Sequence, residues 1–203
     1  MSNIQLLIMG CGGHARSVAD VAVSCGFQDF IFVDANAKLD EYSCGFKVLS
    51  SVEGSFWSCL LGSGDNTYRE QQWQEATERK WTIRTLISPH ASRGIGSILG
   101  EGTVVLHHVH IGPMSELGKG CIINTGAIIE HDCKIGDFSH VSINAALAGN
   151  VVLGSHTMIG AGAVIKNNVH IGDNVMIGAG ATVVNHIEEP GVYVGTPARL
   201  LKS

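Results

Sequence analysis

Every sixth residue from Leu99 to Val183 is aliphatic: Leu99, Val105, Ile111, Leu117, Ile123 and so on, fifteen in unbroken register. The fifth position of each hexad, from Thr103 and Val109 through Cys121, Cys133 and Ala163 to Ile187, is small or β-branched. The second position is Gly in eight of the fifteen hexads. A sandwich would alternate at period two with turns every ~8–12 residues. A sustained period of six instead predicts a parallel β-helix of short strands and tight corners, three hexads to an eighteen-residue triangular coil. The aliphatic residue points inward and stacks on its copy one coil away, at a strand spacing of ~4.8 Å. The small residue fits where the triangle narrows, and the second-position Gly is expected to supply corner dihedrals closed to other residues.

The chain before residue 86 lacks this register. Ile4–Gly10 reads as a buried strand, "CGGHA" as a Gly-rich turn, Arg16–Gly26 as a helix with Val18, Val21 and Ala22 on one face, and Phe30–Asp34 as a second strand. This is a βαβ unit. Gly10, Gly12 and Ala15 satisfy G-x-G-x-x-G/A, and Asp34 ends the second strand at the ribose position of a Rossmann-like unit. A third strand and loop at Cys59–Asn66 and a helix at Thr67–Lys80 follow. A Gly-rich turn opening a helix suits a phosphate, because free N–H groups and the helix dipole favour an anion. About 85 residues make only half a dinucleotide fold, so a nucleotide or nucleotide-sugar suits the unit better than a dehydrogenase cofactor. The division expected is a Rossmann-like domain at 1–85 and a β-helix domain at 86–203.

Composition narrows the classes. A net charge of −5, without a basic block, gives no footprint for nucleic acid. The opening "MSNIQLLIMG" lacks a basic region before its short apolar run, and no apolar run approaches membrane-spanning length. The six cysteines are scattered without a C-x-x-C pair, as expected of reduced thiols in a cytoplasmic protein. Cys121 and Cys133 fall on inward positions as core fillers. "HHVH" invites a metal reading, with His108 and His110 sharing a strand face, but no acid or cysteine cluster accompanies it, so no metal is expected. His156, His170 and His186 read as solvated.

The strings "GCGGHA", "VDA", "GSGDN", "NTGAIIEHDCKIGDFSHVS", "AGNVVLG", two copies of "IGAGA" and "GVYVGTPAR" resemble the sialic acid O-acetyltransferase (NeuD-like) family, closest to bacterial nucleotide-aminosugar N-acetyltransferases of the PglD type. The resemblance implies a left-handed β-helix, acetyl-CoA as co-substrate, a homotrimer, and an acceptor that is a nucleotide-linked 4-amino-4,6-dideoxy sugar of surface-glycan biosynthesis. It implies His131 as general base and Asp132, where close relatives carry Glu, as the acid held against it. It implies His140, Gly149, Ala161 and Ala179 at acetyl-CoA, and Gly12, Gly13, His14, Asp34, Ala35 and Gly64 at the nucleotide-sugar. The chemistry fits: a thioester needs no covalent enzyme intermediate, and the acceptor must lose a proton to a base, for which histidine is the usual choice. Transfer to a hydroxyl, as on sialic acid, needs the same base. A β-helix with zinc held by histidines between subunits and a non-catalytic nucleotide-binding β-helix are the other function classes.

Overall fold

The computed structural model describes residues 5–54 and 57–201. The N-terminal unit is a six-stranded sheet in the order β3-β4-β2-β1-β5-β6, with β1 Gln5–Met9, β2 Ile31–Val33, β3 Tyr42–Ser43, β4 Phe46–Leu49, β5 Trp57–Leu61 and β6 Thr82–Ile83. All neighbours are parallel except β3, which pairs antiparallel with β4. The predicted strand from Ile4 is β1, Ile4 itself lying outside the described residues. The predicted helices are α1, Gly13–Ser24, and α2, Asn66–Glu78. α1 buries Ala15, Val18, Ala19, Val21 and Ala22, and Gly26 ends it at φ +92°. Strands β3, β4 and β6 were not expected from the sequence. The first two form a hairpin whose turn, Cys44-Gly45, has both φ values positive.

A parallel β-solenoid of seventeen two- or three-residue strands follows. It begins at Leu86–Ile87, two strands before the aliphatic register at Leu99, where the inward positions Ile87 and Arg93 are incompletely covered. Each strand pairs with the one eighteen residues on, making three faces. Face one runs from Leu86–Ile87 to Val175–Ile177, face two from Ser92–Arg93 to Thr182–Val183, and face three from Ile98–Leu99 to His170–Ile171. The inward residues form one core, with Ile123, Ile129, Val141, Leu147, Ile159 and Ile165 fully buried.

Two chemical rules hold the coils in register. At the fifth position, Thr103, Ser115, Ser139 and Thr157 are buried and donate to carbonyls fifteen residues ahead, as Ser139 Oγ does to Gly154 O at 2.7 Å. Cys121 and Cys133 fill the same place and aim their thiols at Gly136 O and Ala148 O. Burial raises both thiols, which makes Cys133 a poor nucleophile. The corners correct one expectation. The left-handed residue is the fourth of each hexad, from Gly102 through His108, Asp132, Phe138 and Asn150 to Gly180, not the second. Second-position glycines serve close stacking instead: a Cβ on Gly136 would lie 2.5 Å from the backbone of Gly154.

The end of the solenoid is closed by strand Gly191–Val194, parallel to Val175–Ile177, and by Arg199–Leu200 folded back on it. The N-terminal unit covers face one. Its outward residues Leu86, Val104, Ile122 and His140 are buried, the first three in the cluster that holds Leu6, Ile8 and Val18. Outward apolar residues elsewhere stay open: Ile128 and Val164 on face two, Ile98 on face three. Among the described residues no helix is long and apolar enough to cross a membrane.

Candidate active site

The Gly-rich turn and the strand ends around it enclose a cleft of about 450 Å³ lined by Gly12, Gly13, His14, Asp34 and Gly64 among others. An adjoining cavity of about 350 Å³ takes in Ala35 and shares Asp34. The structure thus gathers all six residues expected at the nucleotide-sugar. Gly62, which sequence reasoning passed over, permits this packing: its Cβ would lie 2.3 Å from Met9 O and 2.9 Å from Ala15 Cβ. Asp34 braces the turn, Oδ2 accepting from Cys11 N at 3.0 Å and Oδ1 from Asn36 N at 3.0 Å. α1 opens at Gly12 without a side-chain cap, so its first N–H groups remain available to an anion.

His131 lies elsewhere. It stands on the edge between faces two and three, half-exposed, and its Nδ1 meets Asp132 Oδ2 at 2.8 Å. Asp132 occupies the left-handed corner position, φ 59°, and its side chain, one methylene shorter than Glu, still reaches the ring. A carboxylate oxygen can only accept here, so Nδ1 donates and Nε2 is the ring nitrogen turned away from the contact. Gly149, one coil on, explains how the ring fits: a Cβ there would sit 2.5 Å from both Cε1 and Nε2 of His131. Ala161 and Ala179 stack eighteen residues apart on a different edge, between faces one and two.

His140 does not face solvent, as its outward hexad position suggests; the N-terminal unit buries it. Its Nδ1 donates to Gly64 O at 3.3 Å and its Nε2 accepts from Asn124 Nδ2 at 3.1 Å. The ring of His14 lies 6.1 Å away, and His14 Nε2 is buried without a hydrogen-bond partner among the described residues. Burial, aided by the charge of Arg69, lowers His140 to about 4 and, with His140 beside it, lowers His14 to about 3, so both are neutral at pH 7.

Other histidines depart from expectation. His156 is not solvated: it stacks on Phe138 at 5.6 Å and pairs with Glu70 at 3.4 Å. His108 is a corner residue at φ 60°, so it shares no strand face with His110. Both nitrogens of His107 are engaged, with Ser88 Oγ and Asp20 Oδ2. Among the described residues no three His, Cys, Asp or Glu side chains are grouped to hold a metal ion.

The family model described as the PglD N-terminal domain matches residues 5–76, and that of the bacterial transferase hexapeptide (six repeats) matches 132–167 and 150–185. The acetyltransferase domain of PglB from Neisseria gonorrhoeae FA1090 is 31% identical over 98% of this chain and 100% of its own, with a TM-score of 0.92. The chain belongs to the PglD-like family of hexapeptide acetyltransferases. The Neisseria domain has also been solved in complex with acetyl coenzyme A. PerB from Caulobacter crescentus, in complex with CoA and GDP-perosamine, is 28% identical over 99% of each chain, with a TM-score of 0.87. WeeI from Acinetobacter baumannii AYE, 23% identical at a TM-score of 0.92, shares the fold.

Proposed function

We propose that this member of the family moves the acetyl group of acetyl-CoA to the amino group of a nucleotide-linked 4-amino-4,6-dideoxy sugar, with His131 as the general base. The observation that carries this reading is the His131–Asp132 pair on an open coil edge, Nε2 free above a glycine. In the reaction the acceptor nitrogen attacks the thioester carbonyl and His131 Nε2 takes its proton. The C–S bond then breaks, and the CoA thiolate leaves with a proton returned by the imidazolium. Asp132 holds the tautomer and stabilises the charged ring. PglB's acetyl coenzyme A and PerB's GDP-perosamine support the co-substrate and acceptor class.

We further propose a homotrimer whose site lies between neighbouring chains. The nucleotide cleft and His140 belong to face one, whereas His131 stands on the edge between the other two faces. In a triangular coil that edge is the vertex opposite face one. One chain therefore cannot bring its own cleft to its own base, but a neighbour's corner docked beside the first chain's side can.

The test is a panel of UDP-, dTDP- and GDP-linked amino sugars and free sialic acid, each with acetyl-CoA, followed by mass spectrometry. One nucleotide-linked amino sugar should gain an acetyl group, and His131→Ala should lose at least ~100-fold in turnover, as expected for a general base. Acetylation of sialic acid alone would move the reading to the hydroxyl acceptor; full turnover by His131→Ala would remove the base.

A further inference from the structure

Arg69 belongs to none of the groups assigned above, yet it is wholly buried. Among the described residues it has no carboxylate partner within ion-pair distance. Burial lowers the guanidinium to about 10, which leaves it charged at neutral pH. A buried, unpaired charge is costly unless every donor is satisfied. Here Nε donates to Gly120 O at 2.6 Å, Nη2 to Phe138 O at 2.6 Å and to Asn66 Oδ1 at 2.7 Å. Nη1 donates to Ser63 O at 3.2 Å and Gly64 O at 3.4 Å.

The acceptors come from two bodies. Gly120 and Phe138 are corner residues of successive coils, one directly above the other, both in the left-handed conformation. Ser63 and Gly64 are a wall of the nucleotide cleft. The guanidinium therefore joins cleft and solenoid through one planar group whose fork fixes direction as well as distance. Gly64 O is shared: it also accepts from His140, which in turn is held by Asn124. A fold that only needed glue here would be served by an apolar side chain of the same volume, since such replacements of buried charges are often neutral or stabilising.

We propose that Arg69 is a positioning residue, fixing the Ser63–Gly64 wall of the acceptor cleft on the corner carbonyls of the solenoid. The acceptor then meets the acyl donor at a set depth. This rests on reading the cleft as the nucleotide-sugar site.

The experiment compares wild type with Arg69→Met, which keeps volume and loses every donor, and Arg69→Lys, which keeps the charge and part of the bonding. Thermal melts by circular dichroism establish the folded fraction. Steady-state kinetics with the amino sugar that wild type acetylates then separate KM from kcat. Arg69→Met should raise the acceptor KM at least ~fivefold and lower kcat at least ~tenfold, with the acetyl-CoA KM within ~twofold, since a displaced substrate loses orientation before it loses binding. Arg69→Lys should recover part of both. Normal acceptor kinetics in a folded variant, an equal rise of both KM values, or loss of the fold in both variants would overturn the proposal. Should wild type acetylate none of the amino sugars, the functional reading fails separately. Calorimetric titration of UDP and GDP then decides the role of Arg69, with at least ~fivefold weaker binding expected in Arg69→Met, the same loss as expected in the acceptor KM. Equal binding in wild type and variant, or no binding by wild type, would end it.

Discussion

At the scale of single residues, the arrangement turns on where side chains are missing. The imidazole of His131 occupies the space that a Cβ on Gly149 would take, so the ring keeps its contact with Asp132 because its neighbour one coil on is Gly. The family resemblance assigns Gly149 to acetyl-CoA; the packing gives it a second task. The two tasks predict different kinetics. If the ring is what matters, Gly149→Ala should lower kcat at least ~tenfold, the cost of a misplaced group, and leave the KM for acetyl-CoA nearly unchanged. It should also cost almost nothing further when His131 is already Ala, since coupled residues are non-additive. A raised acetyl-CoA KM with normal kcat would return Gly149 to cofactor contact alone.

Among elements, the seam between the N-terminal unit and face one is where stability meets pH. His14 and His140 are lowered from 6.5 to about 3 and about 4, chiefly by burial. The unfolded chain binds protons on both below pH ~6.5 while the folded chain refuses them. The contribution is therefore fully present above pH 6.5, and is lost as the pH falls through the range down to the folded values. For His140 alone the upper bound is ~3 kcal/mol, from the size of its shift. Urea midpoints at pH 7.5 and 4.5 should show His140→Gln losing less stability on acidification than wild type. Equal losses would mean that carboxylates elsewhere set the acid limb. The seam also fixes α2, whose Asn66 side chain donates to His156 O at 3.0 Å and whose Trp73 packs edge-on to Phe138.

For the whole molecule, the placing of the cleft on face one and of His131 on the opposite edge leads to a subunit-mixing prediction. In the proposed homotrimer, His131→Ala and His140→Ala should each on its own be only weakly active. Unfolded together and refolded as mixed trimers, they should regain activity, because some interfaces then pair an intact His131 with an intact His140. Mixed trimers verified by mass and still inactive would show that the two histidines do not serve one site between chains. Face two has the composition for such contact, with Ile128 and Val164 exposed on either side of Ala146.

Period six decided which side chains face the core, because inward residues must stack on copies eighteen residues away or leave voids; Leu99 to Val183 state this without help from tertiary structure. The βαβ unit was legible for a similar reason: Gly10, Gly12 and Ala15 stand at the spacing of a Gly-rich strand–turn–helix junction, with Asp34 at the end of the next strand. What period six cannot state is which of three equivalent faces another body will cover. A fainter signal was present, since the outward positions Leu86, Val104 and Ile122 are apolar at period eighteen. His140 follows them in the same column and is buried with them, although the hexad by itself assigns it only to the outward side. Arg69 had no signal at all, because an arginine in the polar run "TYREQQ" resembles any solvated helix face until corner carbonyls of the solenoid surround it. Hydrogen bonds made across fifty to seventy residues depend on where two bodies dock, and local spacing carries no record of that.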